Sequence, residues 1–98
     1  PSRGNRTMVM EATAYCYGTV TRTGTRPVEG RTIAVDPEVI PLGSQVHITC
    51  DTWPAVNGTY VAEDTGRLIK GEIIDIYMAD RDQCLRFGRR PVEVKVLD

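Results

Sequence analysis

Three aspartates of this 98-residue chain lie inside, or at the end of, segments with strand-like composition. Asp75 falls within the most hydrophobic run of the sequence, 73–78, so its carboxyl group is expected to lose part of its contact with water. Desolvation raises the pKa of a carboxyl group. Asp36 and Asp64 each end another apolar segment. If the three carboxylates meet at one mouth of a barrel, their repulsion allows one of them to stay protonated near neutral pH, as a general acid must be.

Each aspartate also has a purely structural interpretation. Asp36 precedes a proline, a pairing typical of an N-cap followed by the first residue of a helical turn. Asp64 precedes a Thr-Gly pair and could be an ordinary turn residue. For Asp75 the alternative is a buried ion pair, because buried charges persist when they are paired. The candidate partners are Lys70, Arg67 and Arg31.

The elements that must position these aspartates are mainly short strands separated by glycine and proline. The predicted strands are 8–15, 32–35, 45–49, 59–63, 73–78 and 91–97. A helix is expected from Asp80 to Phe87, where Gly88 would end it, and a shorter helical turn is expected after Asp36. Six short strands with few intervening helices predict a mainly β fold, either a closed barrel or a sandwich. The segment 19–30 has the composition of a long loop, which either binds a ligand or is a solvated connection.

Composition narrows the class of function. The chain has 12 Lys and Arg against 13 Asp and Glu, a net charge of -1, so it lacks the positive excess that nucleic-acid binding requires. No window approaches the roughly 20 apolar residues of a membrane span. With one histidine and no C-x-x-C pair, we expect no zinc site and no cofactor. The three carboxylates remain a weaker candidate for binding a hard cation, because no D-x-D-x-D-G loop is present.

Four motifs, in order along the chain, resemble those of the 3D domain, a family named for three aspartates. They are TAYC at 13–16, IAVDPEVIPLG at 33–43, AEDTG at 62–66, and IKG followed by IDIY within 69–77. Similar domains occur in stationary-phase survival proteins and in the C-terminal region of MltA-type lytic transglycosylases. The resemblance places the 3D domain at residues 10–98 and leaves 1–9 as an N-terminal extension.

The resemblance implies a six-stranded double-psi β-barrel that cleaves peptidoglycan between N-acetylmuramic acid and N-acetylglucosamine. The product would carry a 1,6-anhydromuramyl end. One acid protonates the glycosidic oxygen and then, as a carboxylate, accepts the proton of the muramyl C6 hydroxyl, whose oxygen closes on C1. Since that nucleophile belongs to the substrate, positioning supplies much of the rate, and the second carboxylate of a water-using glycosidase is not required.

The resemblance also assigns roles to residues. Asp75 corresponds to the catalytic acid, and Asp64 and Asp36 correspond to the other two signature aspartates. We expect Asp64 to raise the pKa of Asp75 and orient it, and Asp36 to hold the sugar or a neighbouring loop. The expected substrate contacts are Lys70, Tyr15, Thr13 and Gly66. The implied partner is the peptidoglycan glycan strand, the implied location is extracytoplasmic, and the oligomeric state is left open.

Two other functions are compatible with the sequence. The first is a non-catalytic glycan-binding barrel like those related to expansins, in which Trp53 and the tyrosines could stack on sugar rings, although core packing also explains these aromatics. The second is a structural or partner-binding fragment whose aspartates only cap turns, which predicts that the three lie far apart.

The three cysteines allow either one disulfide with a free thiol or three buried thiols. The implied extracytoplasmic location favours a disulfide between Cys50 and Cys84. Cys16 is interpreted as a buried apolar residue, because a nucleophilic cysteine needs a nearby base and His47 is distant in sequence.

Overall fold

The segments with alternating polarity form a closed barrel in the computed structural model, which describes residues 6–97. The six strands are β1 (Arg6–Tyr15), β2 (Thr32–Ala34), β3 (Gln45–Thr49), β4 (Gly58–Asp64), β5 (Ile73–Tyr77) and β6 (Arg90–Leu97). One α-helix, α1 (Arg81–Phe87), and one 3-10 turn (Pro54–Val56) complete the described part. The barrel order is β1-β5-β2-β4-β3-β6. The predicted mainly β, six-stranded barrel with one or two short helices is therefore confirmed.

Two of the strand pairs, β1–β5 and β2–β4, are parallel, and the other four pairs are antiparallel. Each parallel pair joins strands that are not consecutive in the chain, so the connections must cross over an end of the barrel. A register shift between Ile33 and Ala34 interrupts the β2–β4 ladder and sets Ala34 opposite Asp64. Such bulges redirect a strand locally and are common next to active sites.

The barrel interior is filled by the apolar face of each strand. In β6, Val92, Val94 and Val96 are buried while the residues between them face solvent, and β3 shows the same alternation, with His47 exposed between two buried residues. Phe87 of α1 is 1% exposed and packs with this core. Burying these side chains removes apolar surface from water, which is the main force that closes the barrel.

The helix α1 has the ends that the sequence predicts. The Asp80 carboxylate accepts a hydrogen bond from the backbone N–H of Asp82, which caps the helix start. Gly88 follows the last turn with φ 60°, a backbone conformation that favours glycine, and its N–H donates to the Cys84 carbonyl oxygen. Among residues 6–97, no helix has the length and apolar composition needed to cross a membrane.

The predicted short helical turn after Asp36 is present, because the N–H groups of Val39 and Ile40 both donate to the Asp36 carbonyl oxygen and the Asp36 carboxylate accepts from the Glu38 N–H as an N-cap. It does not extend into a regular helix. Two local features differ from the prediction, and the first is the 3-10 turn Pro54–Val56, which was not predicted. β1 begins at Arg6, so its first four residues pair with β6 although they lie in the segment interpreted as an N-terminal extension. The boundary between residues 9 and 10 stays a prediction.

The three cysteines are free in this structure, and the predicted disulfide between Cys50 and Cys84 is wrong because their thiols face different partners. The Cys50 sulfur faces the Thr52 hydroxyl at 3.7 Å. The Cys84 thiol points elsewhere and donates to the Met78 carbonyl oxygen at 3.5 Å. Cys16 is half-buried against the core, in agreement with its interpretation as an apolar residue.

Candidate active site

Strand register brings two of the three signature aspartates into one row across the barrel. Thr13 on β1 pairs with Asp75 on β5, Asp75 pairs with Ala34 on β2, and Ala34 pairs with Asp64 on β4. Neighbouring strands lie about 4.8 Å apart, so Asp75 and Asp64 are separated by about 10 Å of backbone. Only the small side chain of Ala34 stands between them, which leaves space for a ligand.

Asp75 is the least solvated acidic residue of this row. It is 9% exposed, and Thr13 Oγ1 donates a hydrogen bond of 2.9 Å to Asp75 Oδ1. Burial raises the pKa of Asp75, the Thr13 hydrogen bond opposes that shift, and the nearby Asp64 charge adds to it. Within residues 6–97 no cation forms an ion pair with Asp75, so the ion-pair interpretation of this residue finds no support there.

Glu63 is a second buried acidic residue, and neighbouring donors compensate its negative charge. Glu63 is 7% exposed, and its Oε1 accepts hydrogen bonds from Thr32 Oγ1 at 2.8 Å and from Arg31 Nε at 3.3 Å. Arg31 is one of the predicted ion-pair partners of Asp75, but in the structure it forms an ion pair with Glu63. Asp75 therefore differs from Glu63 in lacking a cation within the described residues, although both are similarly buried.

Asp64 is held by three hydrogen bonds at the end of β4. Its Oδ2 accepts from Tyr15 Oη at 3.2 Å, and its Oδ1 accepts from the backbone N–H groups of Arg22 at 3.0 Å and Thr65 at 2.9 Å. Burial, and next the Asp64 carboxylate, raise the pKa of Tyr15 well above its ordinary range. Tyr15 thus stays a phenol and donates to Asp64 at any physiological pH.

The segment 19–30 is joined to this end of the barrel. Besides the Arg22 contact with Asp64, the Thr23 N–H donates to the Glu63 carbonyl oxygen at 3.1 Å. Thr21 is 4% exposed, and its hydroxyl lies 2.6 Å from the Thr25 hydroxyl. The segment is therefore a structured loop that helps fix Asp64.

The third signature aspartate lies outside this row. Asp36 Oδ2 accepts from the Gly71 N–H at 2.8 Å, and Oδ1 accepts from the Glu38 N–H at 3.0 Å. These two bonds, the Gly71 bond first, lower the pKa of Asp36. The carboxylate joins the turn after β2 to the turn before β5, which corresponds to the loop-holding role that we expected as one of two possibilities. Asp36 does not line the cleft described next.

An open cleft of about 510 Å³ lies over the Asp75 and Asp64 row. Its volume falls in the ordinary range of ligand-binding sites. Five predicted site residues line it, namely Thr13, Tyr15, Asp64, Gly66 and Asp75. Lys70, a predicted substrate contact, is exposed on the turn beyond the cleft and does not line it.

Gly66 is required by packing. A Cβ atom on this residue would lie 2.9 Å from Ile69 Cγ1, closer than such contacts normally approach. Ile69 is 8% exposed and lines the cleft, so a side chain at Gly66 would displace part of the cleft wall.

Three exposed side chains on the cleft are absent from the predicted substrate contacts, namely Arg67, Leu68 and Arg89. Tyr17, one of the tyrosines predicted to stack on sugar rings in a glycan-binding barrel, also lines the cleft. Tyr17 is 71% exposed and Leu68 is 80% exposed, so each presents apolar surface to solvent beside the cleft. The position of Arg67 and Leu68 directly after the AEDTG motif is the available sequence signal, and Arg89 has none. Trp53, in contrast, packs edge-on against Phe87 at 5.6 Å and under Arg90 at 4.6 Å, away from the cleft.

The described residues contain no cluster of three or more histidine, cysteine or acidic side chains that could hold a metal ion. The candidate cation site needs all three aspartates, and the backbone bonds of Asp36 direct its carboxylate to a different place. What the cleft contains instead is one buried carboxyl group and one carboxylate fixed by hydrogen bonds.

Comparison with known proteins assigns the family. The sequence model described as "3D domain" matches residues 31–98. The chain belongs to the 3D domain family. It is 36% identical over 101 residues to a candidate cell wall shaping protein of Bacillus subtilis, YabE, covering 95% of this chain and 23% of that protein. It is 35% identical over 102 residues to the cell wall-binding protein YocH of the same bacterium, covering 96% of this chain and 33% of that protein.

Solved structures share the barrel. A lytic transglycosylase of Burkholderia pseudomallei, LtgG, matches this 3D domain with a TM-score of 0.67 and 30% identity, over 82% of this chain and 26% of that chain. MltA of E. coli matches with a TM-score of 0.66 and 24% identity, over 84% of this chain and 28% of that chain. An expansin of Clavibacter michiganensis matches with a TM-score of 0.69 and 14% identity, over 95% of this chain and 51% of that chain. The last two similarities concern the fold alone.

The 3D domain therefore spans about a quarter to a third of the length of the two Bacillus relatives.

The site of this 3D domain contains two carboxyl groups in different surroundings. Asp75 is buried with a raised pKa, and Asp64 is ordered by a tyrosine and two backbone amides. Such a difference in environment separates a proton donor from a fixed negative charge.

Proposed function

We propose that this 3D domain is the catalytic barrel of a peptidoglycan lytic transglycosylase. The proposed reaction cleaves the β-1,4 bond between N-acetylmuramic acid and N-acetylglucosamine and leaves a 1,6-anhydromuramyl end. The observation that carries the proposal is Asp75, which is buried on an open cleft with one hydrogen-bond donor and no cationic partner within residues 6–97. A carboxyl group in such a place is disposed to hold a proton, as a general acid requires.

The hydrogen bond of Thr13 suits both halves of this reaction. It engages Asp75 Oδ1 and leaves Oδ2 without a protein partner in the described residues, so Oδ2 is available to the glycosidic oxygen. After it protonates the leaving group, the ionised Asp75 accepts the proton of the C6 hydroxyl, and the C6 oxygen bonds to C1. The Thr13 hydroxyl then stabilises the carboxylate form of Asp75, so it opposes the increase in the Asp75 pKa that burial causes.

Asp64 is proposed to act on the charge of the transition state. Glycosidic cleavage passes through a state with oxocarbenium character, which a nearby carboxylate stabilises. Tyr15 and the loop amides hold this carboxylate in one orientation, so little reorganisation is needed as charge develops. Its charge also contributes to the raised pKa of Asp75.

The names of similar proteins support a substrate in the cell wall. Lytic transglycosylases share the barrel, and the two Bacillus relatives are named for cell wall shaping and cell wall binding. We accordingly place the action of this domain on peptidoglycan glycan strands outside the cytoplasmic membrane.

The Asp75→Asn variant tests the proposal. Asparagine keeps the size of the side chain but cannot donate and then accept the proton, so we expect the rate of anhydromuropeptide release to fall by at least about 100-fold. Purified peptidoglycan is incubated with each variant and the released products are analysed by mass spectrometry. The matched control is Asp51→Asn, the same substitution at an exposed residue outside the cleft, which should keep the parent rate. Undiminished anhydro product from Asp75→Asn would contradict the assignment.

A non-catalytic peptidoglycan-binding barrel is the second candidate. It is favoured by Tyr17 and Leu68, whose exposed apolar surfaces on the cleft could lie against sugar rings. This alternative predicts that the parent chain and Asp75→Asn co-sediment equally with insoluble peptidoglycan and that neither releases anhydro product. Release by the parent alone would reject it.

A further inference from the structure

Two of the three free cysteines, Cys16 and Cys84, lie on either side of Met78. Cys16 directly follows Tyr15, whose carbonyl oxygen accepts a hydrogen bond of 2.8 Å from the Met78 N–H. The carbonyl oxygen of the same Met78 accepts the Cys84 thiol at 3.5 Å. The backbone of one residue therefore connects the end of β1 to the helix α1, with one cysteine on each side.

Cys16 and the Cys84 sulfur both lie beside Met78. Tyr15 pairs with Tyr77, so Cys16 comes next to Met78, and it packs against the buried cluster that contains Met78 and Cys84. Cys16 is one of the causes, after burial, that raise the pKa of Cys84. Cys50 belongs to the same core, but its sulfur faces Thr52. Of the three possible pairings, Cys16 with Cys84 is the one that these contacts favour.

We propose that Cys16 and Cys84 are a disulfide-forming pair, which closes when the domain meets an oxidising environment. The crosslink would join the end of β1 to α1 and close a loop that contains most of the barrel. The proposal does not depend on whether the cleft cleaves glycan.

The exchange chemistry assigns a different task to each cysteine. Cys16 is half-buried and the more accessible of the two, so its thiolate attacks a disulfide of the oxidant, forms a mixed disulfide and releases one thiolate. Cys84, deprotonated in turn, attacks the Cys16 sulfur and releases the second thiolate. The protein loses two electrons and two protons, and the oxidant, a low-molecular-weight disulfide or an oxidoreductase, is reduced to two thiols. The raised pKa of Cys84 keeps most of this thiol protonated at neutral pH, so the resolving step should become faster as the pH rises.

The experiment uses the whole chain and oxidised glutathione as the probe. The protein is reduced, freed of reductant, incubated with the probe, alkylated, unfolded and digested, and the peptides are mapped by mass spectrometry. We expect a peptide pair joined through Cys16 and Cys84, with alkylation confined to Cys50. Oxidation should also raise the midpoint of thermal unfolding by on the order of 10 °C, because the closed loop is long.

Two matched serine variants separate the pairings. Cys50→Ser should form the crosslink and show the same thermal shift, whereas Cys16→Ser should do neither. Circular dichroism checks that each variant is folded, and if Cys16→Ser is not, the peptide map of the parent decides. A crosslink that includes Cys50 would overturn the proposal. So would alkylation of all three thiols after prolonged oxidation, or a glutathione adduct that remains on Cys16.

Discussion

At the scale of single residues, the chain contains two buried acids with different surroundings. Glu63 has Arg31 and Thr32 as partners, and Asp75 has Thr13 alone within the described residues. An uncompensated buried carboxylate lowers the free energy of unfolding, and proteins retain such groups at functional sites. Asp75 is therefore distinguished as a candidate functional residue by the lack of a cationic partner within the described residues, more than by its burial.

This cost predicts a pH-dependent gain in stability for Asp75→Asn. The folded-state pKa of Asp75 is raised above its ordinary value of 3.8, so its ionisation lowers stability as the pH rises through the raised pKa. At pH 7 the variant should unfold at a higher temperature than the parent, and below pH 3.8 the difference should largely disappear. Calorimetry across this range measures it, with Asp51→Asn as the control. A variant that is less stable at pH 7 would show that Asp75 is structurally compensated.

At the scale of elements, local sequence predicts strands and turns better than it predicts contacts between turns. The alternation in β3 and β6 follows directly from one buried and one solvated face, so sequence period alone predicts both strands. The Asp-Pro pair predicts the helical turn after Asp36, and the Glu38 N–H donates to the Asp36 carboxylate as an N-cap predicts. The second bond of this carboxylate is with the N–H of Gly71, 35 positions away. Local propensity contains no information about such a partner.

The link between these two turns gives a prediction opposite in sign to that for Asp75. Two backbone amides lower the pKa of Asp36, so its carboxylate contributes stability above its ordinary value of 3.8 and loses it as the pH falls through the lowered pKa. Asp36→Asn removes an acceptor for one of these amides and should unfold at a lower temperature than the parent at pH 7, with a smaller difference near pH 2. Thermal unfolding followed by circular dichroism at both pH values tests this. An unchanged midpoint at pH 7 would mean that the two turns are not held together by this side chain.

At the scale of the whole molecule, closure of the barrel depends on the start of β1. Arg6 to Val9 pair with Val96 to Glu93 of β6, and this pairing forms part of the seam between the first and last strands. An open seam would leave unpaired backbone groups and uncover the core.

Truncation distinguishes an extension from a structural strand. Deleting residues 1–9 should reduce the free energy of unfolding by about 2–4 kcal/mol, because ladder hydrogen bonds contribute roughly 1 kcal/mol each. Deleting residues 1–5 is the control, so the difference between the two deletions measures the contribution of residues 6–9. Urea unfolding of the three proteins compares them. Equal stability of the longer deletion and the parent would support the predicted boundary at residue 10.

Local polarity and motifs in order along the chain are sufficient to predict the fold class, the approximate strand bounds and Asp75 as the candidate acid. Which residues share the cleft follows from the folded barrel alone. It brought Asp64 beside Asp75 across Ala34, and it excluded Asp36 and Lys70. The same holds for the cysteines, where chain spacing offered no guide to the pairing of thiols. Parallel strand pairing joins residues that are distant in the chain, so register, which no local pattern encodes, sets the composition of the site.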